Sequence, residues 1–293
     1  MLKRLQQVVQ EDEYSRRNIR EKIMQAIEGG KEEQLKEMFN TYCNSLDQWL
    51  MDESEYDSKD FRKMVIAAKG VETVITEIFI AVLSCEGVTP IQAVVAKIEP
   101  YLGFDDPFVG VKAAAEILGV CWDKQLYKVY NDPLRIEPIL RLPQEVREYI
   151  ANTKYMNPML CEPNEWSTNF AGGYLTICEH VILGRHNNHQ KKQALDALNI
   201  VQAIEWELDD YAVNFVEKPK TVLDTQEKKV AWQQHIDMST DVYQQMMDAG
   251  NSFYFPWKYD FRGRMYSQGH YINLQSTGYK KSLLNFKHRE LIV

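Results

Sequence analysis

The residues best suited to chemistry lie near the C-terminal end, in Phe253-Tyr254-Phe255-Pro256-Trp257-Lys258-Tyr259-Asp260-Phe261-Arg262-Gly263-Arg264-Met265-Tyr266. Ten aromatics and seven Lys/Arg fall within the last 43 residues against two carboxylates, a local net charge of +5 on a chain whose total is −8. A basic, aromatic terminus on an acidic body suggests an edge that contacts a polyanion. Guanidinium groups offer planar forks that match phosphate oxygens, and Gly263 between two of them lets the backbone approach a ligand or take a positive φ. Asp260 can hold one arginine by an ion pair and so position the other. Tyr266 and His270 add ring faces against which a base or sugar could lie, and Lys280-Lys281 a second phosphate contact. The same residues could equally be an Arg/Asp network that only locks a β-turn.

At 293 residues, 45% hydrophobic and 26% charged, the chain can bury a core as one large domain or two smaller ones. Its best apolar run, Ile78-Phe79-Ile80-Ala81-Val82-Leu83, falls far short of the roughly 20 residues of a membrane-spanning helix, and Met1-Leu2-Lys3-Arg4 does not lead into a signal-peptide apolar segment. Five widely spaced cysteines (Cys43, Cys85, Cys121, Cys161, Cys178) without a C-x-x-C pair fit free thiols in a reducing cytosol and speak against a zinc site. The net charge, with a pI near 5.4, argues against a freestanding nucleic-acid binder. Nucleic acid would have to meet a confined patch or one shared with a partner.

The elements that must position these residues read as mainly helical. Two helices fill residues 1 to about 50, separated at Gly29-Gly30, with Leu35, Met38, Phe39, Tyr42 and Leu46 on one stripe. The cluster Arg16-Arg17-Arg20-Lys22, interleaved with Glu11, Glu13 and Glu21, reads as a solvated helix face. A third helix spans about 60–83. After Glu86-Gly87, Thr89-Pro90 reads as an N-cap and first-turn proline for a helix over 90–99 that stops at Pro100, and Asp106-Pro107 does the same for one over 107–119. Gln125 to Leu142 alternates around Asn131-Asp132-Pro133 as an irregular two-stranded hairpin, either a loop stiffener or a wedge into a ligand. Pro143 opens a helix to about Asn152, and 158–175 is an ordered crossing loop. His186-Asn187-Asn188-His189, with His180, invites a metal reading, but no carboxylate or Cys stands at a ligand offset and a polar turn explains the Asn-Asn better. A long helix over 191–216 and a last one over 225–249, closed by Ala249-Gly250-Asn251, lead to Phe253-Tyr254-Phe255, a short buried strand ended by Pro256.

Phe-Tyr-Phe-Pro-x-x-x-Asp-Phe-Arg-Gly-Arg-x-Tyr resembles the Asp-x-x-Gly-Arg motif of the single-subunit RNA polymerases, the phage-type enzymes that also serve mitochondria. In that family the motif lies beside the catalytic cleft and contacts the template strand and the RNA–DNA hybrid. Downstream, Asn273-x-Gln275 and Lys281-Ser282-Leu283-Leu284 resemble the family's Asn-Pro-Gln…Lys-Gly/Ala-Leu-Leu element, whose lysine also reaches nucleic acid. Upstream, Pro158-Met159-Leu160-Cys161, Pro163, Trp166 and Gly172-Gly173-Tyr174 are similar to its Pro-Met-x-x-Pro-Pro-x-x-Trp…Gly-Gly-Tyr loop. Leu198-Asn199-Ile200-Val201-Gln202 through Trp206 and Asp209 follows its Leu-Asn-x-x-Gln-x-Thr-x-Trp-x-Ile-Asn pattern, and Ile91-Gln92-Ala93-Val94 looks like its N-terminal domain.

The resemblance implies a helical N-terminal domain over 1–153 with a hairpin near 126–140, a crossing loop and long helices leading to a reduced thumb over 154–250, and a β-containing edge of the palm over 251–293. The family's palm and fingers would begin after Val293, so the metal-binding aspartates are missing and two-metal phosphoryl transfer cannot occur here. By this likeness the chain is similar to the small, non-catalytic N-terminal subunit of the two-chain phage-type RNA polymerases of some bacterial viruses, with no catalytic residue of its own. A large subunit would carry palm, fingers and Mg2+, and this chain would bind no metal. Arg262, Arg264, Tyr266, Lys281 and Lys280 would contact template DNA or nascent RNA, supported by Asp260 and Gly263. An apolar stripe on the last two long helices and the segment after 266 would meet the partner. A single-stranded-DNA-binding protein is a further expected partner, no membrane is involved, and the place of action is the cytoplasm of an infected bacterial host. The alternatives are a helical nucleic-acid-binding or scaffold adaptor that kept the fold without polymerase activity, and a piece of a longer polymerase.

Overall fold

The computed structural model describes residues 1–28, 33–85, 87–122, 126–184 and 187–288. Gly29-Gly30, Glu86, Gln125, His186 and the last five residues lie outside them. The chain is mainly helical with small antiparallel sheets and divides into two compact units, Met1–Ser15 with Asn152–Val293, and Arg16–Ala151. The first helix, α1 (Leu2–Glu13), thus belongs with the C-terminal residues. The second unit holds α2 (Arg16–Glu28), α3 (Glu33–Met51), α4 (Asp57–Lys69), α5 (Val71–Leu83), β1 (Thr89–Pro90), α6 (Ile91–Leu102), α7 (Pro107–Val120), β2 (Tyr127–Asn131), β3 (Leu134–Pro138) and nearly all of α8 (Gln144–Asn152).

This helical unit is built around α5, in which every residue from Val74 to Leu83 is buried. A helix apolar on all sides can be stable only when enclosed, and Phe79 packs edge-on against Phe39 and Tyr42 of α3 with ring centroids 5.4 and 5.9 Å apart. The buried Glu77 on α5 explains the basic cluster of α2. Arg16 and Arg20 reach it at 2.5 and 3.8 Å, so these two leave the expected solvated face, whereas Arg17 and Glu21 pair at 2.9 Å in the open and Lys22 is exposed as expected.

Several boundaries differ from the sequence reading. The first 50 residues form three helices, the chain leaving helical pairing at Tyr14-Ser15. The helix over 60–83 is two, divided by Gly70 at φ +88°, which a right-handed helix cannot contain. Thr89 is no N-cap: it pairs with Ile136 in β1, its hydroxyl donates to the Gly87 carbonyl, and the next helix begins at Ile91. Pro100 lies inside that helix, in the last turn before the left-handed Gly103. The hairpin is not an isolated ribbon but two strands of a three-stranded sheet in the order β1-β3-β2. Asp106 does cap α7, accepting from the Phe108 N–H at 2.9 Å.

Beyond α1, the C-terminal unit holds β4 (Asn164–Thr168), β5 (Ala171–Gly173), α9 (Leu195–Gln202), β6 (Trp206–Leu208), a 3-10 turn at Ala212–Asn214, α10 (Gln226–Asp248), β7 (Trp257–Tyr259), β8 (Met265–Ser267), α11 (Gly278–Ser282) and β9 (Leu284–Phe286). The strands pair as β4-β5, β6-β9 and β7-β8. The long helix over 191–216 does not exist. It is α9 followed by β6, because Trp206–Leu208 finds strand partners in Leu284–Phe286 and Phe253, and long-range pairing overrides the helical period. The last helix stands as expected, capped by the Thr225 side chain and closed by Gly250 and Asn251 at φ +97° and +46°. Phe253 and Phe255 are fully buried, but regular strand begins only after Pro256. Among the described residues no helix is long and apolar enough to cross a membrane.

Helix α1 is held by its polar side. Gln7 and Glu11 are fully buried. The Glu11 carboxylate accepts from the N–H groups of Leu175 (2.9 Å) and Thr176 (2.6 Å), from the Thr176 hydroxyl (2.6 Å) and from Gln7 (3.0 Å), and Gln7 Oε1 accepts from the Leu160 N–H at 2.8 Å. Replacing Glu11 by Ala strands buried donors, each costing about 1–3 kcal/mol. Glu11→Ala should lower the unfolding free energy of this unit by roughly 2–4 kcal/mol, whereas exposed Gln6→Ala should change it by less than about 0.5 kcal/mol. Urea titration checks both, and faster amide exchange at Leu175 and Thr176 localises the effect.

Candidate nucleic-acid interface

The segment Phe253–Tyr259 is the spine of the C-terminal unit, and besides β8 three other segments pair with it. Met159 exchanges backbone hydrogen bonds with Tyr254 (2.9 and 2.8 Å) and Trp206 with Phe253 (2.8 and 3.0 Å), while the Tyr259 N–H donates to Val181 and its carbonyl accepts from Leu183 (2.9 and 2.7 Å). These pairings hold β7, and through it the turn at 260–264.

The polar residues of the four resembling motifs brace the same place. The Asn199 side-chain amide accepts from the Trp166 N–H (2.7 Å) and donates to its carbonyl (3.1 Å), as a neighbouring strand would, and Gln202 donates to the Asn164 carbonyl at 2.8 Å. Trp166 Nε1 donates to the Trp257 carbonyl at 3.1 Å, tying the crossing loop to β7. Gly172 is obligatory, since a Cβ there would lie 2.4 Å from Trp166 Cα. Gln275 accepts from the Ser267 N–H (3.0 Å) and donates to the Met265 carbonyl (2.7 Å), completing the free edge of β8, and Asn273 Oδ1 receives the Gln275 N–H at 2.6 Å. The sequence reading assigned these amides no role. Their spacing carries no signal for the backbone groups they meet, which lie up to 38 residues away.

At the end of β7 the chain reverses. The Asp260 N–H donates to the Arg264 carbonyl (2.8 Å) and the Gly263 N–H to the Asp260 carbonyl (3.0 Å), with Gly263 at φ +81°, the geometry of a three-residue hairpin loop closed by a glycine bulge. Asp260 Oδ1 accepts the N–H groups of Arg262 and Arg264, both at 2.9 Å, and Oδ2 meets Arg264 at 2.6 and 2.8 Å and Arg262 Nε at 3.4 Å. Burial opposes ionisation of this carboxyl, but hydrogen bonds from the Arg264 backbone and guanidinium hold it below the ordinary carboxylate range. The Asp260 side chain is 12% exposed, those of Arg262 and Arg264 57% and 52%, so one face of each fork is bound and the other is open. The Arg264 guanidinium lies 5.6 Å from the Tyr266 ring centroid and that of Arg262 5.2 Å from Phe261, a tip aromatic 71% exposed for which no role was expected.

The two neighbouring lysines part company. Lys281 is exposed on α11, whereas Lys280 is buried and donates to the His270 carbonyl at 3.0 Å, its pKa lowered mainly by that burial. The His270 ring stacks on Tyr155 at 3.6 Å between centroids, so one of its faces is taken. Desolvation first, then the charges of Lys280, His235 and Lys154, push its pKa down to about 4. Of the histidine group, His180 is a loop brace: Nδ1 accepts from the Ile182 N–H and Nε2 meets the His189 carbonyl, both at 3.0 Å. Among the described residues no group of three or more His, Cys, Asp or Glu side chains is placed to hold a metal ion.

Two consequences are measurable. A Cβ on Gly263 meets nothing within 4 Å, so Gly263→Ala suffers only the left-handed backbone penalty of about 1–2 kcal/mol; thermal melting should register that loss, and Gly263→Asn should recover part of it. His270 is neutral in the native state, while its ordinary value is 6.5. As pH falls from about 6.5 to about 4 the unfolded chain takes up this proton first, so stability declines across that window and the decline levels off below it. Urea titrations over this range should give a shallower slope for His270→Phe, which retains an aromatic ring against Tyr155.

No protein-family model matches this chain. It is similar to a probable DNA-directed RNA polymerase of Podospora anserina, with 26% identity over 167 residues, covering 44% of this chain. The matched part is 17% of that protein, so the chain spans only a small fraction of the length of the curated relative it matches.

Proposed function

We propose that this chain is a subunit of a DNA-directed RNA polymerase of the phage type, the half that grips nucleic acid while a partner polypeptide carries the palm and fingers. The observation that carries the reading is the Asp260-anchored hairpin, with two arginines half-open to solvent and braced by the residues that make up the resembling motifs. The similarity to a probable DNA-directed RNA polymerase of Podospora anserina supports the polymerase part of the reading.

In this reading the open faces of Arg262 and Arg264 take backbone phosphates of the template or the RNA–DNA hybrid, Lys281 takes a nearby phosphate, and Tyr266 lies against a template nucleotide. Asp260 and Gly263 set the arginines' direction. Lys280, buried against the His270 carbonyl, supports α11 and leaves phosphate contact to Lys281. The Mg2+ ions of phosphoryl transfer belong to carboxylates of the partner, whose chemistry this chain serves by holding the strands in place. With three cations and one carboxylate at the site, binding by the isolated chain is weak. The assembled pair works on single-stranded or opened DNA, with a single-strand-binding protein helping to expose the template, in the cytoplasm of an infected bacterium.

Arg264→Ala should lower transcription by the reconstituted pair about tenfold to a hundredfold, the equivalent of about 1.5–3 kcal/mol for hydrogen bonds to a charged group, while co-purification with the partner is unchanged. Full transcription by that variant would sink the assignment.

A further inference from the structure

The loop of residues 209–224, between β6 and α10, is fixed at its base and aromatic at its rim. Asp209 Oδ1 accepts the N–H groups of Tyr211 (3.0 Å) and Ala212 (2.8 Å), and Oδ2 accepts from the Asn285 side chain at 2.8 Å. The Tyr279 hydroxyl donates to the Phe215 carbonyl at 2.5 Å, and the Thr277 hydroxyl donates to the buried Glu217 carboxylate at 2.6 Å. From this base Tyr211 stands 75% and Phe215 51% exposed, their rings edge to face with centroids 5.0 Å apart. A loop free to move would fold such rings inward to shed apolar surface from water; this one is held with them outward. Lys218 and Lys220 are exposed in the same loop and Lys281 on the helix that pins it, against two exposed carboxylates in the loop, Asp210 and Asp224, the latter already paired with Lys228 at 2.6 Å.

Exposed rings interleaved with ammonium groups are the chemistry that holds unpaired bases and their phosphates. Apolar surface alone would suit a protein partner, but the exposed lysines in this loop and on the helix that pins it match a polyanion. The loop is also linked to the hairpin through the fold, since Gln275 ties β8 to the segment that leads into α11, and α11 ties down the loop. We infer that loop 209–224 is a second contact surface for single-stranded nucleic acid, with Tyr211 and Phe215 stacking bases and Lys218, Lys220 and Lys281 taking phosphates. It rests on the polymerase reading only in that such an enzyme always holds unpaired strands.

The test measures fluorescence anisotropy of labelled oligo(dT) and oligo(rU) of about 12 nucleotides with the full chain, titrated between about 50 and about 200 mM salt. Tyr211→Ala combined with Phe215→Ala should weaken binding about tenfold or more with the salt slope retained. Lys218→Gln with Lys220→Gln should reduce the slope by about 1.4, the value for two phosphates on a single strand. Tighter oligo(rU) assigns the surface to RNA and tighter oligo(dT) to the template, and either supports it. Absence of binding by the unaltered chain at the lowest salt overturns the inference, as does wild-type binding by both variants. Oligonucleotide binding unchanged while the loop variants lose the catalytic partner makes the surface a protein interface instead. None of these outcomes bears on transcription by Arg264→Ala, so this inference and the polymerase reading fail separately.

Discussion

One carboxylate decides what the C-terminal hairpin can do. Asp260 accepts two backbone N–H groups with one oxygen and two guanidinium groups with the other, so it shapes the turn and aims the arginines together. Because the arginines are half-exposed, the ion pairs contribute little to stability. Their weight is geometric. An arginine on a free turn samples many rotamers and loses that freedom when it meets a phosphate, whereas one already bound through half its fork loses less.

The turn inherits its position from a frame that two-stranded sheets alone would not supply, since such ribbons are marginal in water. Side-chain amides stand in for the missing strands. Asn199 pairs with both backbone groups of Trp166, Asn251 does the same to Leu208 (2.7 and 2.9 Å), and Gln275 completes β8. Each satisfies backbone groups that would otherwise be desolvated at a cost, so polar residues here work as structural parts. Trp166 and Gly172 complete the frame by steric need, the indole occupying the space that any side chain at 172 would enter.

What could be read from the sequence follows from where its determinants lie. Helices α7 and α10 were legible because a capping side chain, a proline or a left-handed closing residue sits within a few positions of each end. Hairpin β2-β3 was legible because its turn and its alternation are local. The path from Leu195 to Leu208 was not, since Leu198, Val201 and Trp206 keep a helical period while the partners that make β6 a strand lie almost 80 residues downstream. Helix α1 was misleading in another way: its apolar residues Leu2, Leu5 and Val9 face outward while Gln7 and Glu11 are buried, and periodicity marks a face without naming what covers it. At the candidate site the residue types gave the chemistry of Asp260, Arg262 and Arg264, but Lys280 and Lys281 are indistinguishable until burial separates them.

That separation sets the electrostatics of the whole surface. Lys280 is consumed indoors, near the buried Glu217 and against the His270 carbonyl, and Asp260 offsets one of the two arginines. The charge left to meet a phosphate near the hairpin is therefore small, on a chain whose net charge is −8. A few phosphate contacts give only a shallow salt dependence and weak affinity, while self-repulsion between the acidic body and a polyanion opposes even that. A grip of this kind becomes effective when a second surface confines the strand, because the loss of translational freedom is then met once for both. The geometry of Asp260 thus suits a wall of a cleft better than a binding site in its own right: it fixes where a strand lies, and leaves how tightly it is held to whatever faces it.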